Sequence, residues 1–126
     1  MADEVQNYLT SEIETLRSTV LRAGVLNAKA LGPSAETHVE NVLRFVVISP
    51  ELEDATYLAV MRVALFARAL YAQAQIAEIE QARREALAAI DTLAIVVDGS
   101  ERIETGAMAR HLDAGSMPEP MAPVAN

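Results

Sequence analysis

The fold is decided by residues 49–99, which read SPELEDATYLAVMRVALFARALYAQAQIAEIEQARREALAAIDTLAIVVDG. Ser49 is a favoured helix N-cap, Pro50 fits the first helical position, and the acids that follow suit the positive end of the helix dipole. No further Gly or Pro occurs until Gly99, a residue type that commonly ends a helix. The stretch therefore predicts one long helix over about residues 50–97.

A helix of that length does not fit inside one small globule. At a rise of 1.5 Å per residue it would be about 72 Å long, whereas a compact chain of 126 residues is about 36 Å across. Two outcomes stay open: the helix breaks between Gln73 and Gln75, or it continues and is covered by partners along its length. The second outcome predicts a homo-oligomer, a dimer or larger, assembled through the long helix.

The composition favours helices throughout the chain. Hydrophobic residues make up 52% of the sequence but aromatic residues only 4%, and 23 residues are Ala, the strongest helix former. Sheets prefer β-branched and aromatic residues, so an all-β domain is excluded. The predicted fold class is all-α, either a long helical hairpin or a bundle.

Two helices are predicted before the long one. The first covers about residues 4–31, because apolar residues recur every three or four positions, and it ends at Gly32 and Pro33. This helix also fits coiled-coil heptads, with Asn27 either at a core position where it would fix the register or simply near the fraying end of the helix. The second helix is short and covers about residues 35–48, including the run VVIS, which lacks the alternation of a half-buried strand.

The predicted domain organisation has three parts. Residues 1–98 form the helical domain. Residues 99–115 form a weakly helical extension that Gly106 interrupts. Residues 116–126 are rich in Pro and form a flexible, disordered tail.

The charge excludes two classes of partner. The net charge is −8, and the Lys and Arg residues are scattered along the chain. Nucleic acids and anionic membrane surfaces both attract clustered basic residues, so neither is expected as a partner. Residues 55–77 are strongly apolar, but Arg62 and Arg68 near their centre make membrane insertion unfavourable, and no membrane span is expected. The start, MADEVQNYLTSEIE, lacks the basic and apolar regions of a secretory signal, so a cytoplasmic location is expected.

The long helix is apolar over more than half of its circumference, which indicates contacts on more than one side. Its large apolar side chains are the predicted interface with a second copy or a protein partner: Leu58, Val63, Leu65, Phe66, Leu70 and Ile76. The predicted function is therefore that of a non-enzymatic, self-assembling, adaptor or structural protein, such as a scaffold or a chaperone-like partner.

Two arginines of the long helix are candidates for binding an anion. Arg62 lies against the apolar sector with no acid within four residues, and Arg68 follows on the same helix. The alternative function is a small all-helical enzyme or ligand-binding protein in which Arg62, Arg68 or Arg44 holds an anionic metabolite. The more ordinary interpretation of Arg62 is an ion pair to an acid on a facing helix, or a side chain that extends its charged end to water. The candidate partners are Glu12, Glu14, Glu36 and Glu40.

No catalytic, metal or cofactor site is predicted. His38 and His111, the two His residues, lack the spacing of a zinc or carboxylate-bridged site and are predicted to be solvated. The chain has no Cys, which removes disulfides and thiolate chemistry. Glu80 and Arg84 are predicted to form a surface pair along the long helix.

Overall fold

The long stretch without Gly or Pro folds into two helices. The structure, a computed structural model, describes residues 2–103. Within this range four α-helices follow one another: α1 (Ala2–Arg22), α2 (Ala28–Leu43), α3 (Pro50–Tyr71) and α4 (Ile76–Asp98). A short 3-10 helix, Val25–Asn27, precedes α2. The predicted all-α class is confirmed for the described residues.

The break between α3 and α4 lies at residues 72–75, one of the two outcomes that the sequence left open. Gln73 adopts the left-handed backbone conformation, with a φ of 53°. Its N–H donates to the Leu70 carbonyl, and the N–H of Ala74 donates to the Ala69 carbonyl, both at 3.0 Å. These two bonds form a Schellman motif, which satisfies the last carbonyls of α3 and ends the helix.

Replacing Gln73 with glycine is expected to raise the free energy of unfolding by about 0.5–1 kcal/mol, because glycine adopts the left-handed conformation without a steric penalty. Gln81→Gly is the matched control. Gln81 is exposed in the interior of α4, where glycine is expected to lower stability by about 1 kcal/mol. Urea unfolding followed by circular dichroism measures both changes. A loss of stability in the Gln73→Gly variant would contradict the break at this residue.

The predicted end of the first helix is wrong, because α1 ends at Arg22 and not at residue 31. Gly24 has an extended backbone, and its N–H donates to the side-chain oxygen of Asn27 at 3.1 Å. The N–H of Asn27 returns a bond of 3.0 Å to the Gly24 carbonyl. Asn27 therefore closes a turn, and the predicted coiled-coil heptads through it have no continuous helix to follow.

Gly32 and Pro33 lie inside α2, although their sequence predicts the end of a helix. Pro33 is the sixth residue of α2 and is exposed. The helix therefore loses only the one backbone bond that a proline cannot donate, and the ring faces solvent instead of a neighbouring helix.

The predicted helix over the VVIS run is also wrong, because α2 ends at Leu43. Val46 instead forms an isolated antiparallel bridge with Arg102. The N–H of Val47 donates to the Glu101 carbonyl at 2.7 Å. The partner segment follows α4 directly, where the sequence predicted a weak helix.

Side chains that join α1 to α4 show that these two helices are antiparallel. Arg17 in α1 meets Asp91 in α4 at 2.9 Å, and Gln6 near the start of α1 bonds to Asp98 at the end of α4. The helices α1 and α3 each pack on both α2 and α4. Together with the short connections, these contacts give an up-and-down bundle of four helices in the described residues.

We call the two ends of this bundle the turn end and the far end. The turn end holds the α1–α2 connection at residues 23–27 and the α3–α4 connection at residues 72–75. The far end holds the α2–α3 connection at residues 44–49 and the segment 99–103. The core between them is formed by large side chains that are almost fully buried: Phe66, Leu9, Leu16, Leu31, Leu52, Ile90, Leu93, Val20, Val42, Val46, Val63 and Val97.

None of the helices in residues 2–103 combines the length and the apolar character that crossing a membrane requires. This finding agrees with the expectation from Arg62 and Arg68. The predicted tail and most of the predicted extension, residues 104–126, lie outside the described part of the chain.

Candidate interaction surface at the turn end

The turn end exposes large apolar side chains. Leu26 in the 3-10 helix is 100% exposed, and Ile76, the first residue of α4, is 79% exposed. Tyr71 at the end of α3 is 60% exposed, and Leu21 and Val25 are half exposed. We call these five residues the turn-end patch. Single exposed apolar residues are ordinary, but several at one end of a bundle are typical of an interaction site. The far end also exposes apolar side chains, those of Val47, Ile48, Tyr57 and Ile95, but none of them is fully exposed as Leu26 is.

The helices that carry the patch contact one another at the turn end. The Lys29 ammonium lies 5.3 Å from the centre of the Tyr71 ring, so the start of α2 meets the end of α3. Arg68 and Ala72 line an open groove of about 500 Å³ between these helices. On the opposite side of the bundle, Arg83 joins α4 to the end of α1.

Charge is divided unequally between the two halves of the bundle. The half toward the turn end, residues 13–35 and 61–87, carries seven basic and four acidic side chains, a net charge of +3. The other half, residues 4–12, 36–60 and 88–103, carries two basic and ten acidic side chains, a net charge of −8. The turn-end patch is therefore set in the basic half of an acidic protein.

Arg83 holds the turn end together, and only 16% of its side chain is exposed. Its guanidinium donates to three carbonyls at the C-terminus of α1, those of Val20, Leu21 and Ala23, at 2.9, 3.0 and 3.1 Å. Two further bonds of 3.2 Å join it to the Glu80 carboxylate. A cation is favourable at this position because the C-terminus of a helix carries partial negative charge.

The predicted pair between Glu80 and Arg84 is wrong, since Glu80 pairs with Arg83. Arg84 is exposed and donates to Gln81 at 2.6 Å. It joins the exposed cations toward the turn end, which are Arg22, Lys29, Arg68 and Arg84.

The six predicted interface residues separate into two groups. Four are buried or partly buried within the single chain: Val63, Phe66, Leu70 and Leu58. Leu65 and Ile76 are exposed, and of the two only Ile76 lies at the turn end. The helical spacing of apolar residues indicates that a face of the helix is buried. It does not distinguish burial within the same chain from burial by a partner.

The three predicted anion-binding arginines do not converge. Arg62 forms an ion pair of 3.0 Å with Glu85 on α4. The partner lies on a facing helix, as the ordinary interpretation of Arg62 requires, but it is none of the four predicted acids. Arg68 lies toward the turn end, whereas Arg44 follows α2 at the far end.

A polar cluster lies between α1 and α2, where the sequence predicted a solvated histidine. Nδ1 of His38 is 2.7 Å from Oε1 of Glu12, and the two side chains are 19% and 18% exposed. Asn41 donates to the same oxygen at 3.1 Å. His38 is therefore half-buried and partnered, and its partner is 26 positions away in sequence, beyond any local motif. The other histidine, His111, lies outside the described residues.

Tyr8 lies beside this cluster, and the pKa of its phenol is higher in the folded chain than in the unfolded chain. Burial raises the pKa of its phenol above the ordinary value of 10.0, and the negative charge of Glu12 adds to this rise while Arg44 opposes it. The unfolded chain therefore releases the Tyr8 proton first as the pH rises.

Stability is consequently expected to fall as the pH rises past about 10, and to fall further in the wild-type chain than in the Tyr8→Phe variant. Urea unfolding of both chains at about pH 9 and about pH 11 measures the two losses. Tyr57 and Tyr71 are present in both chains and cancel in the comparison. Equal losses would contradict the preference of the folded state for the neutral Tyr8 phenol.

Two further observations concern other kinds of site. An open groove of about 670 Å³ between α1 and the start of α2 is lined by hydroxyl groups, among them those of Ser11, Thr15 and Ser18. In the described part of the chain, no three His, Asp or Glu side chains are placed to hold a metal ion together.

Comparisons of the chain with protein-family models, with curated proteins and with solved structures find no match. The turn end is therefore interpreted from its own geometry and chemistry.

Proposed function

We propose that the chain is a non-enzymatic helical adaptor that binds its partner through the turn-end patch. The observation that carries this proposal is that Leu26 is fully exposed and Ile76 is 79% exposed at the same end of a bundle that has its own buried core. Such side chains are removed from water only when a partner covers them, and this burial is the main favourable term in most protein associations.

The way the patch is mounted supports the same function. Leu26 lies in a 3-10 helix that Asn27 closes, and Ile76 begins a helix of 23 residues. Arg83 fixes the end of α1 against α4. A surface held by rigid elements loses little conformational entropy when it binds, which favours affinity.

The break at Gln73 changes the predicted means of assembly. Self-assembly through the long helix was expected because a single chain leaves a rod about 72 Å long uncovered. Two shorter antiparallel helices remove that reason, since each is covered by the same chain. A homo-oligomer stays a prediction, which light scattering at micromolar concentration tests.

The alternative function, a small enzyme or ligand-binding protein, has less support. It needs Arg62, Arg68 or Arg44 to hold an anion, whereas Glu85 already pairs with Arg62, and Arg68 and Arg44 lie toward opposite ends and do not support each other. Thermal-shift measurements with carboxylate and phosphate metabolites test this alternative, and the adaptor function leads us to expect no stabilisation by them.

Site-specific photo-crosslinking tests the adaptor function directly. A benzophenone amino acid placed at position 26 or 76 of the full chain, in the cell that naturally encodes it, is expected to form covalent adducts upon irradiation. The matched control is position 95, because Ile95 is 73% exposed but lies toward the far end. The control position is expected to yield few adducts.

Equal adduct formation at positions 26, 76 and 95 would contradict a docking surface at the turn end. An absence of adducts at all three positions would contradict it as well. Mass spectrometry of the products distinguishes protein from lipid adducts, so the adaptor function is tested independently of the class of partner.

A further inference from the structure

We propose that the partner of the turn end is an anionic lipid surface, onto which the bundle docks end-on. This inference rests on the adaptor function proposed above and names the class of its partner. It departs from the expectation drawn from the net charge of −8, because the fold separates charges that the sequence average combines.

The apolar part of the turn end suits a bilayer interface. Leu26 stands fully exposed at the connection between α1 and α2, and Ile76 stands 79% exposed at the start of α4. Large apolar side chains presented in this way insert into the boundary between head groups and acyl chains without needing a complementary pocket. Tyr71 adds an aromatic ring with a polar hydroxyl, the kind of side chain enriched at membrane interfaces.

Exposed cations accompany the apolar side chains. Arg22 ends α1, Lys29 lies in the first turn of α2, and Arg68 lies in the last turn of α3. Arg84 in α4 is exposed as well. Each Lys or Arg close to an anionic leaflet contributes to its attraction. Arg22, Lys29 and Arg68 lie in terminal turns at the turn end, whereas Arg84 lies about 12 Å along α4 from Ile76, and the exposed Glu78 opposes them. The three terminal cations exceed this one carboxylate, so charge adds to the apolar contribution to peripheral binding.

The acidic half of the bundle lies too far away to cancel this attraction. Helix α3 has 22 residues, which corresponds to a length of about 33 Å. At physiological ionic strength the Debye length is about 8 Å. When the turn end touches the membrane, most charges of the far end are therefore screened from the lipid head groups, and the opposite charges of the two ends orient the bundle as it approaches.

A second copy of the chain is the other occupant to consider, since the basic turn end complements the acidic far end. The end of a four-helix bundle is about 20 Å across and offers about 400 Å². A stable protein interface buries about 800 Å² on each partner. End-to-end stacking of copies therefore provides about half of the area needed, whereas a planar bilayer binds through inserted side chains and charge.

Flotation of the full chain with large unilamellar vesicles tests this proposal. The vesicles are pure phosphatidylcholine or contain about 30% phosphatidylserine, at about 0.1 M and about 0.5 M salt. Binding is expected only to the anionic vesicles and is expected to weaken roughly tenfold or more at the higher salt concentration.

Two pairs of variants separate the apolar and the charged contributions. The double variant Leu26→Ser with Ile76→Ser is expected to lower the partition coefficient roughly tenfold or more, while the control Ile95→Ser leaves it within about twofold. The double variant Lys29→Gln with Arg68→Gln is expected to act as strongly, while the control Arg44→Gln does not. All these side chains are exposed, and circular dichroism confirms that each variant remains folded.

Three results would overturn the lipid proposal. The first is an absence of binding to anionic vesicles, and the second is equal weakening by Ile95→Ser. The third is self-association in solution that the Leu26→Ser and Ile76→Ser changes abolish, which would identify a second copy as the occupant. If vesicle binding fails but position 26 still crosslinks to protein, the lipid proposal falls while the adaptor function stands.

Discussion

Replacing Arg83 with methionine is expected to lower the free energy of unfolding by about 3 kcal/mol. Methionine keeps most of the length and apolar volume of the side chain but removes the guanidinium. The carbonyls of Val20, Leu21 and Ala23 then lose the guanidinium at the end of α1, and the Val20 carbonyl retains only the weaker bond of 3.3 Å from the Ala23 N–H among those described. Hydrogen bonds to charged groups are the stronger kind, and a partly buried acceptor without a donor has a desolvation cost.

Two other contacts are lost in the same variant. The guanidinium carbon lies 4.8 Å from the centre of the Phe66 ring, a cation–π contact inside the bundle. The Glu80 carboxylate loses both of the Arg83 nitrogens that donate hydrogen bonds to it. One side chain therefore links α1, α3 and α4 at the turn end.

Arg84→Met is the matched control for this experiment. It makes the same substitution at the next residue, which is exposed and bonds only to Gln81 in the described residues. The control is expected to change stability by less than about 0.5 kcal/mol. Urea unfolding followed at 222 nm compares both variants with the wild-type chain. Equal effects of the two substitutions would show that Arg83 does not hold the turn end.

Replacing Phe66 with alanine is expected to lower stability by about 3–5 kcal/mol, the largest effect of any single substitution considered. Phe66 is fully buried within the single chain, at 0% exposure. Truncation leaves a cavity among α3 and its neighbours, and it also removes the ring beneath Arg83.

Leu65→Ala provides the control for Phe66, because Leu65 is the adjacent residue and is 42% exposed. Its truncation is expected to cost less than about 1 kcal/mol. The sequence placed both residues in one intermolecular interface, in which case stability would depend on protein concentration. If the unfolding midpoint of the wild-type chain rises with protein concentration and that of the Phe66→Ala variant does not, a core position for Phe66 is contradicted.

The two ends of the predicted long helix show what local sequence determines. Ser49 caps α3 as predicted, with the N–H of Leu52 donating to its hydroxyl at 3.1 Å. Gly99 follows the last residue of α4, also as predicted. In both places a residue type with a specific backbone role coincides with the end of an apolar repeat, so the signal is local and complete.

The break at Gln73 has no such local signal. A left-handed residue at the end of a helix is usually Gly or Asn, and Gln73 is neither. Only the limit on the size of a compact globule indicated that the long stretch had to break or be covered. Conversely, Pro33 resembles a helix terminator, yet it lies in the second turn of α2, where a proline removes one backbone hydrogen bond and crowds the preceding turn. Packing of the buried face of α2 offsets this local cost, because most helical stability in proteins comes from tertiary packing.

The turn-end patch could not be located from the sequence because exposure depends on the packing of all four helices. Leu26 belongs to the same apolar-rich segment as Leu31, yet Leu26 is 100% and Leu31 only 1% exposed. Similarly, Arg83 and Arg84 are adjacent and identical in type, and only the position of α1 decides that Arg83 becomes the partner of backbone carbonyls.

The chain folds back at Gln73, and this reversal creates both the self-contained core and the turn end. The distance between one position in α3 and one in α4 tests the reversal most directly. The chain has no Cys, so cysteines introduced at Glu53 and Ile95, both exposed, accept spin labels without competition. The pairing of Arg62 with Glu85 places these two positions opposite each other on α3 and α4.

Double electron–electron resonance, with labelled chains diluted in unlabelled protein, measures the distance within one chain. The fold-back is expected to give a distance within about 25 Å, because neighbouring helices lie about 8–10 Å apart and the labels add their own length. A distance of about 63 Å, the rise of a continuous helix between the two positions, would contradict it.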